Sequence, residues 1–429
     1  MALILAPRQV LRASPNLCLG QPLTHPRRFT KTCSLANNTA PALKPVAPDT
    51  DFDARIIGAG AGGVTAASLL AKKGYRTLMV EAKERLGGRA STLAKTYSDI
   101  GLSLSLYEPE RASTVLRFGG RHVNLSEGFV GLLRNIIPAA VASGSGMLPF
   151  LRPKKGESTR SWLNRLTSSP TIHNIIDNVL GSMFAARGDV VPAEVLLYYF
   201  SKDTSFKKIG LAKGGTIEIW KPLAHYVQNN GGQVWFNSIV SELTFSPDGL
   251  VTGALIQRED GSQAQVSSKL TVSNIGPLGT AQLAGLDQLP RGYVDGIERW
   301  NNPAAIITVH VASQEPLASF PFLAIMGNAR RMAYAGNFSA PELRCSRGMV
   351  PVLWCFRPHS CKRILAIDVT AHDWPAQRAV SGFDEPQTTP VPNLFNVGDG
   401  VKPWASGGTA ACAQSARNVV EKIVKIYPL

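Results

Sequence analysis

The stretch RIIGAGAGGVTAA, residues 55–67, constrains the fold more than any other part of the chain. Gly58, Gly60 and Gly63 stand in the spacing GxGxxG directly after the apolar pair Ile56 and Ile57, with Gly62 inside the same run. This spacing predicts a strand that ends at Ile57, turns sharply at Gly58 and runs into a helix. A missing side chain at Gly60 lets the main chain approach a pyrophosphate, and one at Gly63 lets the helix pack close to the strand. Phosphates would then rest on the helix N-terminus, where N–H groups and the helix dipole favour negative charge. The helix reads AGGVTAASLLAKKG, small and apolar, and stops at Gly74 after two lysines. YRTLMVEA follows as a second strand ending in Glu81, 21 residues after Gly60. A carboxylate there accepts hydrogen bonds from ribose hydroxyls and argues against a 2′-phosphate. With strand, glycines, helix, strand and acid in one unit, a chance glycine loop is a poor alternative. Arg55 is a misfit: a charge in a strand that ought to be buried, it is expected at the strand's solvent end.

The rest of the chain bounds the setting. A length of 429 residues allows two domains, and 44% hydrophobic with 17% charged residues fits a globular protein. The net charge is +15, of which Arg8, Arg12, Arg27, Arg28, Lys31 and Lys44 supply a large share against Asp49. No basic stripe with interleaved aromatics occurs, which excludes a nucleic-acid partner and leaves open peripheral contact with an anionic membrane. The first 48 residues hold no acid, several arginines and many Ser, Thr and Pro. Residues 1–49 are therefore expected to be a transit peptide, with a mitochondrion preferred over a plastid. A disordered tail on a cytoplasmic protein is the competing reading. NIIPAAVASGSGMLPFL, residues 135–151, comes nearest to a membrane span, but two prolines and two glycines break it. It suits a greasy channel, a membrane contact or a buried loop. Cys18, Cys33, Cys345, Cys355, Cys361 and Cys412 form no CxxC pair, and the trio near His359 matches no zinc spacing, so no metal is expected.

After Glu81 the chain reads AKERLGGRAST, and with Gly87, Gly88 and Arg89 it resembles the superfamily of phytoene desaturases and flavin-containing amine oxidases. The resemblance implies that Gly88 and Arg89 lie by a flavin pyrophosphate, where a guanidinium can form forked bonds to phosphate oxygens. LAKGGTIEIWKPLAHYVQNNGGQVWFNSIVSEL, residues 211–243, resembles the return into the cofactor domain, with Val240 contacting the adenine through its backbone. TFSPDGLVTGALIQREDGSQAQVSSKLTVSNIGP, residues 244–277, reads as hairpins at SPDG and EDG followed by a buried strand KLTVSN. VPNLFNVGDGVKPWASGGTAACAQSARNVVEKIV, residues 391–424, resembles the C-terminal flavin motif: a short strand to Gly398 and Asp399, then a glycine turn opening a helix at Gly408 and Thr409. A nicotinamide dehydrogenase needs only the first cradle, whereas a site in two parts implies FAD.

The expected fold is α/β. A Rossmann-like FAD-binding domain of a parallel sheet, helices and a β-hairpin layer (50–95, 211–285 and 391–429) is interleaved with a mixed α+β substrate domain (96–210 and 286–390). The first insert reads as mainly helical, as in TIHNIIDNVLGSMFAA, and the second holds the strand AAIITVHVA. The resemblance implies an FAD-dependent oxidoreductase acting on carbon–carbon bonds of a hydrophobic small molecule of polyene, terpenoid or polyketide type. An amine oxidase is the alternative, which an aromatic pair at the flavin would support; Trp374 and Trp404 are the candidates. A flavin enzyme needs little acid–base help, and His310, His359 and His372 read as structural. A covalent flavin link at Cys412 does not match the family's position. The chain departs from the family after Arg89, where GGRASTLAKTYSDIGLSLSLYEPE is short for the segment that lines the ring. Either a segment is missing between Thr92 and Ser98, or the protein is a catalytically impaired or altered FAD-binding protein.

Overall fold

The computed structural model describes residues 51–86, 94–103, 114–118, 121–124, 152–184, 186–202, 212, 216–300, 307–313, 322–326, 334–337, 350–353, 363–369 and 385–429. In chain order its strands begin with β1 Asp51–Ile57, β2 Thr77–Val80, β3 Thr114–Phe118, β4 Arg121–Asn124, β5 Gln233–Trp235, β6 Ser238–Phe245 and β7 Val251–Arg258. They continue with β8 Gln263–Ser273, β9 Ile307–Ser313, β10 Phe322–Met326, β11 Tyr334–Asn337, β12 Val350–Leu353, β13 Arg363–Val369 and β14 Leu394–Asn396. The α-helices are α1 Ala61–Lys72, α2 Ala94–Asp99, α3 Thr159–Leu166, α4 Pro170–Phe184, α5 Ala193–Lys202, α6 Lys221–Asn229, α7 Pro277–Ala284, α8 Arg291–Trp300 and α9 Gly408–Ile426.

The first sheet runs β5-β2-β1-β8, with β14 on the far side of β8. These five strands are parallel, in registers that align Val234, Met79, Ile56, Val272 and Phe395 across the sheet. Because β8 is eleven residues long, its first half pairs antiparallel with β7 while its second half lies between β1 and β14. The meander β6-β7-β8 therefore grows out of the parallel sheet and folds over one face. Its turns are those read from SPDG and EDG: Gly249 N–H donates to the Ser246 carbonyl at 2.9 Å and Gly261 N–H to that of Arg258 at 3.0 Å. Asn393 ties the layers, its Nδ2 donating to the carbonyls of Val251 and Lys269 while its Oδ1 accepts from Val251 N–H.

Two cores result, one on each face. On the helical side Ile56, Met79, Val272 and Phe395 pack against α1, α6 and α9 through Leu70, Trp220, Leu223 and Val419. Every residue of α1 from Gly62 to Ala71 is buried, which accounts for its small side chains: helices and sheet close on it from all sides. On the other side Val80, Trp235, Leu243, Ile256 and Val266 pack under the meander with α7 and α8. The fold is the α/β Rossmann-like arrangement expected from the glycine spacing.

A second seven-stranded sheet runs β13-β9-β12-β11-β10-β3-β4. AAIITVHVA supplies β9 and TIHNIIDNVLGSMFAA supplies α4. The first insert also contributes β3 and β4, which its helical reading omitted. β3 pairs parallel with β10, Thr114 opposite Leu323, so the partner that completes it lies about two hundred residues away. Residues 94–103, part of the short stretch after Arg89, form α2 and its exit turn. Tyr97 is buried there, its hydroxyl donating to the Ile219 carbonyl at 2.6 Å. Burial first, then the charge of Glu218, pushes this phenol up to about 12.

Arg55 corrects the sequence reading. It is fully buried, 0% exposed, with its guanidinium under the meander. Its terminal nitrogens donate to the Gly253 carbonyl at 3.0 Å, the Thr271 hydroxyl at 2.8 Å and the Val266 carbonyl at 3.3 Å, while Nε has no partner among the described residues. The layer formed by β6 and β7, absent from a simple βαβ unit, converts the expected solvent end into an interior. Burial lowers the Arg55 pKa to about 9, well below the usual guanidinium range. The unfolded chain thus holds this proton more tightly, and the group opposes folding below pH 9, an opposition relieved as pH rises above about 9. Arg55→Ala, which leaves a cavity and unpaired acceptors, is expected to cost about 3 kcal/mol. Arg55→Met fills the volume without the charge and should cost about 1 kcal/mol or less. Urea denaturation of both variants checks this, and the Met variant should lose the alkaline gain in stability.

Candidate dinucleotide site

The parallel strands β1, β8 and β14 end level with one another. Ile57 accepts a hydrogen bond from Asn274 N–H and Ser273 from Val397 N–H, each at 2.8 Å. Beyond these tips the chain turns at Gly58, with φ +88°, and at Gly398, with φ +101°. Both lie in the left-handed region that side chains disfavour. Gly63 is demanded by contact instead: a Cβ there would stand 2.0 Å from the Gly58 carbonyl oxygen. A Cβ on Gly62 would stand 2.8 Å from the Gly398 amide nitrogen. The glycine loop and the C-terminal loop, 340 residues apart in sequence, thus meet backbone against backbone.

Around this junction the polar groups are aimed. α1 begins at Gly60 with no side-chain cap and no acid in its first turn, so its N–H groups and positive dipole end face the crevice. Glu81, half-buried at the tip of β2, accepts from Ala59 N–H at 2.7 Å through Oε2 and from Lys83 N–H at 2.9 Å through Oε1. Its main chain is fixed by Trp235 and Ser238, which puts β6 and Val240 beside it. Val240 itself is buried in the core under the meander, next to a bulge before Glu242. On the C-terminal side, Gly398 N–H donates to the Ser415 hydroxyl at 2.8 Å, which in turn donates to the Cys412 carbonyl at 2.7 Å. Asp399 pairs with Lys402 at 3.2 Å, and the ammonium also donates to the Asp399 carbonyl at 2.7 Å. Gly408, at φ +70°, opens α9, whose first turn has no side-chain cap and carries the buried Thr409. Two uncapped helix starts and the carboxylates of Glu81 and Asp399 thus belong to the segments that meet at this junction, and helix N-termini favour anions.

The structure thus brings Gly58, Gly60, Gly62, Gly63, Glu81, Gly398 and Asp399 to one edge of the sheet. Gly87, Gly88 and Arg89 lie outside the described residues, as do Trp374, His359, His372, residues 1–49 and 135–151, and every cysteine except Cys412. His310 lies on β9. Among the described residues no group of three or more His, Cys, Asp or Glu could hold a metal, and no helix is long and apolar enough to cross a membrane. Sequence reading missed Asn274, Lys402, Ser415 and Tyr198. Trp404, half-exposed, meets Tyr198 of α5 edge to face, with centroids 5.2 Å apart and planes at 61°. The next residue, Ala405, holds φ +55° and is buried among Leu180, Phe184 and Leu196. The loop after Asp399 is thereby anchored to the first insert's helices. Only the VSNIGP wording and the lysine in NVGDGVKP could have pointed to Asn274 and Lys402. Gly63→Ala should destabilise the chain by at least about 3 kcal/mol, because backbone cannot yield there as a side chain does. Thermal unfolding with and without nucleotide checks this, and the loss should appear in the nucleotide-free protein.

Residues 56–109 match the model of the NAD(P)-binding Rossmann-like domain. The 15-cis-phytoene desaturase of Glycine max is 21% identical over 280 residues, covering 53% of this chain and 48% of that protein. The chain spans about half the length of the curated relatives it matches. Among solved structures, an oxidoreductase from Methanosarcina mazei superposes with a TM-score of 0.71 at 20% identity, covering 86% of this chain and 100% of that one. Cyclohexylamine oxidase from Brevibacterium oxydans gives 0.59 at 15% identity, covering 88% and 100%. In sequence the chain is similar to 15-cis-phytoene desaturases, and in fold to an oxidoreductase and an amine oxidase.

Proposed function

We propose that the protein is an FAD-dependent oxidoreductase acting on a hydrophobic small molecule. The observation that carries this reading is the backbone contact between Gly62 and Gly398, which joins two half-sites where a single nicotinamide cradle needs one. The residues present fit the cofactor. Gly60, Gly62 and Gly398 bring bare backbone close around the Asn274 carboxamide, and the uncapped start of α1 offers N–H groups to a diphosphate. Glu81 keeps lone pairs for ribose hydroxyls beyond its two backbone donors, and its charge disfavours a 2′-phosphate. Asp399 lies just past the Gly398 turn and is held by Lys402 at 3.2 Å. The domain division proposed is 50–95, 211–285 and 391–429 for the cofactor, with 96–210 and 286–390 for the substrate. The separation of strands into two sheets supports it for the strands, while α8 packs with the core under the meander.

When bound, a flavin supplies an acceptor or donor of hydride at a substrate carbon. The chain's own residues bind the nucleotide, orient the ring and exclude water. The relationship to phytoene desaturases supports carbon–carbon chemistry on a polyene, terpenoid or polyketide. A flavin amine oxidase is the second reading, favoured by the paired rings of Tyr198 and Trp404, which offer an aromatic edge beside the loop that follows Asp399. A mitochondrial location, with removal of residues 1–49, and peripheral membrane contact are part of the first reading. They rest on composition alone.

The purified full chain should be yellow, and acid precipitation should release FAD into the supernatant. Colour kept in the pellet would mean a covalent bond. A colourless protein that takes up NAD but not added FAD would overturn the cofactor proposal. Glu81→Ala and Asp399→Ala should each weaken FAD binding by about ten- to a hundredfold, from loss of a charge-assisted hydrogen bond of roughly 1.5–3 kcal/mol. Bleaching of the flavin band by a polyene, and not by putrescine or cyclohexylamine, would favour the first reading; the reverse would favour the second.

A further inference from the structure

Between the tips of β1 and β14 stands Asn274, the first residue beyond β8. Its N–H is fixed on the Ile57 carbonyl, so its side chain projects into the junction of the two loops. There Nδ2 lies 2.7 Å from the place a Cβ on Gly60 would take. Oδ1 lies 2.7 Å from that of Gly62 and 2.4 Å from that of Gly398. Three glycines from both halves of the site therefore yield their side-chain space to one carboxamide. Gly60 makes this plain. Its φ of −75° and ψ of −178° are open to any residue, and the atoms a Cβ would meet belong to the Asn274 side chain. Conformation does not require glycine there; Asn274 does.

Asn274 is half-buried, and its carboxamide has no hydrogen-bond partner among the described residues. Its amide atoms are not among the buried side-chain atoms left without a partner, so they are open to solvent or to a ligand beside Gly60, the residue that precedes α1. Its chemistry also suits the place, because a neutral amide donates to phosphate oxygens without charge, whereas the isosteric carboxylate would repel them.

We propose that Asn274 is a positioning residue of the nucleotide site. Its carboxamide sets the gap between the glycine loop and the Gly398 loop, and Nδ2 donates a hydrogen bond to the bound cofactor's diphosphate. The inference rests on the dinucleotide reading above and adds to it the residue that joins the two half-sites. It implies that the contact is with the diphosphate common to FAD and ADP and not with the flavin ring.

The test is titration of FAD and of ADP into the full chain stripped of nucleotide, with thermal unfolding of the stripped protein alongside. Asn274→Ala should raise the Kd for both ligands by about tenfold, and Asn274→Asp, equal in shape but without the donor, by about a hundredfold. The unfolding temperature without nucleotide should stay at the wild-type value for the Asp variant. Gly60→Ala should weaken FAD binding in the wild-type background, where it displaces the amide, and add nothing in the Asn274→Ala background. Wild-type affinity for both ligands in the Asp variant would overturn the inference while leaving the dinucleotide site intact. A wild-type chain that binds neither FAD nor ADP would overturn the reading on which it rests. A loss for FAD with none for ADP would refute the diphosphate contact.

Discussion

Close approach of backbone to backbone at the carboxyl ends of β1, β8 and β14 is the constraint on which the rest depends. Parallel strands bring their C-terminal tips to one edge, and there a ligand can enter only where side chains are withheld. Gly58 and Gly398 turn the chain in conformations closed to most residues, and Gly62 and Gly63 let loops touch that would otherwise be held apart by a methyl group. That contact fixes where α1 starts, and the hydrogen bond from Gly398 N–H to the Ser415 hydroxyl ties α9 to the same junction. The small residues of α1 extend the same logic into the core, since the helix can reach the junction only if sheet and neighbouring helices close tightly around it.

The meander supplies the second requirement, a roof for the other face of the sheet. Its cost is visible in Arg55, a guanidinium buried without a carboxylate and satisfied by two carbonyls and a hydroxyl. A buried charge of this kind is a weak source of stability. It does hold β7 and β8 to β1 by directed bonds where apolar packing would allow sliding. β8 is the strand that must serve both layers and deliver Asn274 to the junction, so its register against β1 matters more than that of any other pair.

The parts of this architecture legible in the sequence are those whose physics is local. A glycine at a turn, an acid at a strand end, and SPDG or EDG between alternating strands each answer a demand of the backbone within a few residues. Residues whose role depends on distant neighbours were not legible. Arg55 finds its partners at separations of 198 to 216 residues. β3 needs a strand from the second insert, and Tyr198 needs Trp404. Asn274 stood at the end of a stretch read as a buried strand, and the VSNIGP wording marks the place without saying that three glycines elsewhere leave room for its amide.

The same separation bears on how the two sheets communicate. Asp399 belongs to the cofactor edge, yet six residues later Ala405 is seated among α4 and α5 in a left-handed conformation that an alanine adopts only when its surroundings over-determine it. Trp404 between them rests against Tyr198. The loop that presents Asp399 and Lys402 is therefore pinned at one end by the nucleotide-side contact of Gly398 with Ser415 and at the other by the helices of the first insert. The position of Asp399 is therefore set jointly by both parts of the chain, and a displacement of those helices cannot leave the loop unaffected.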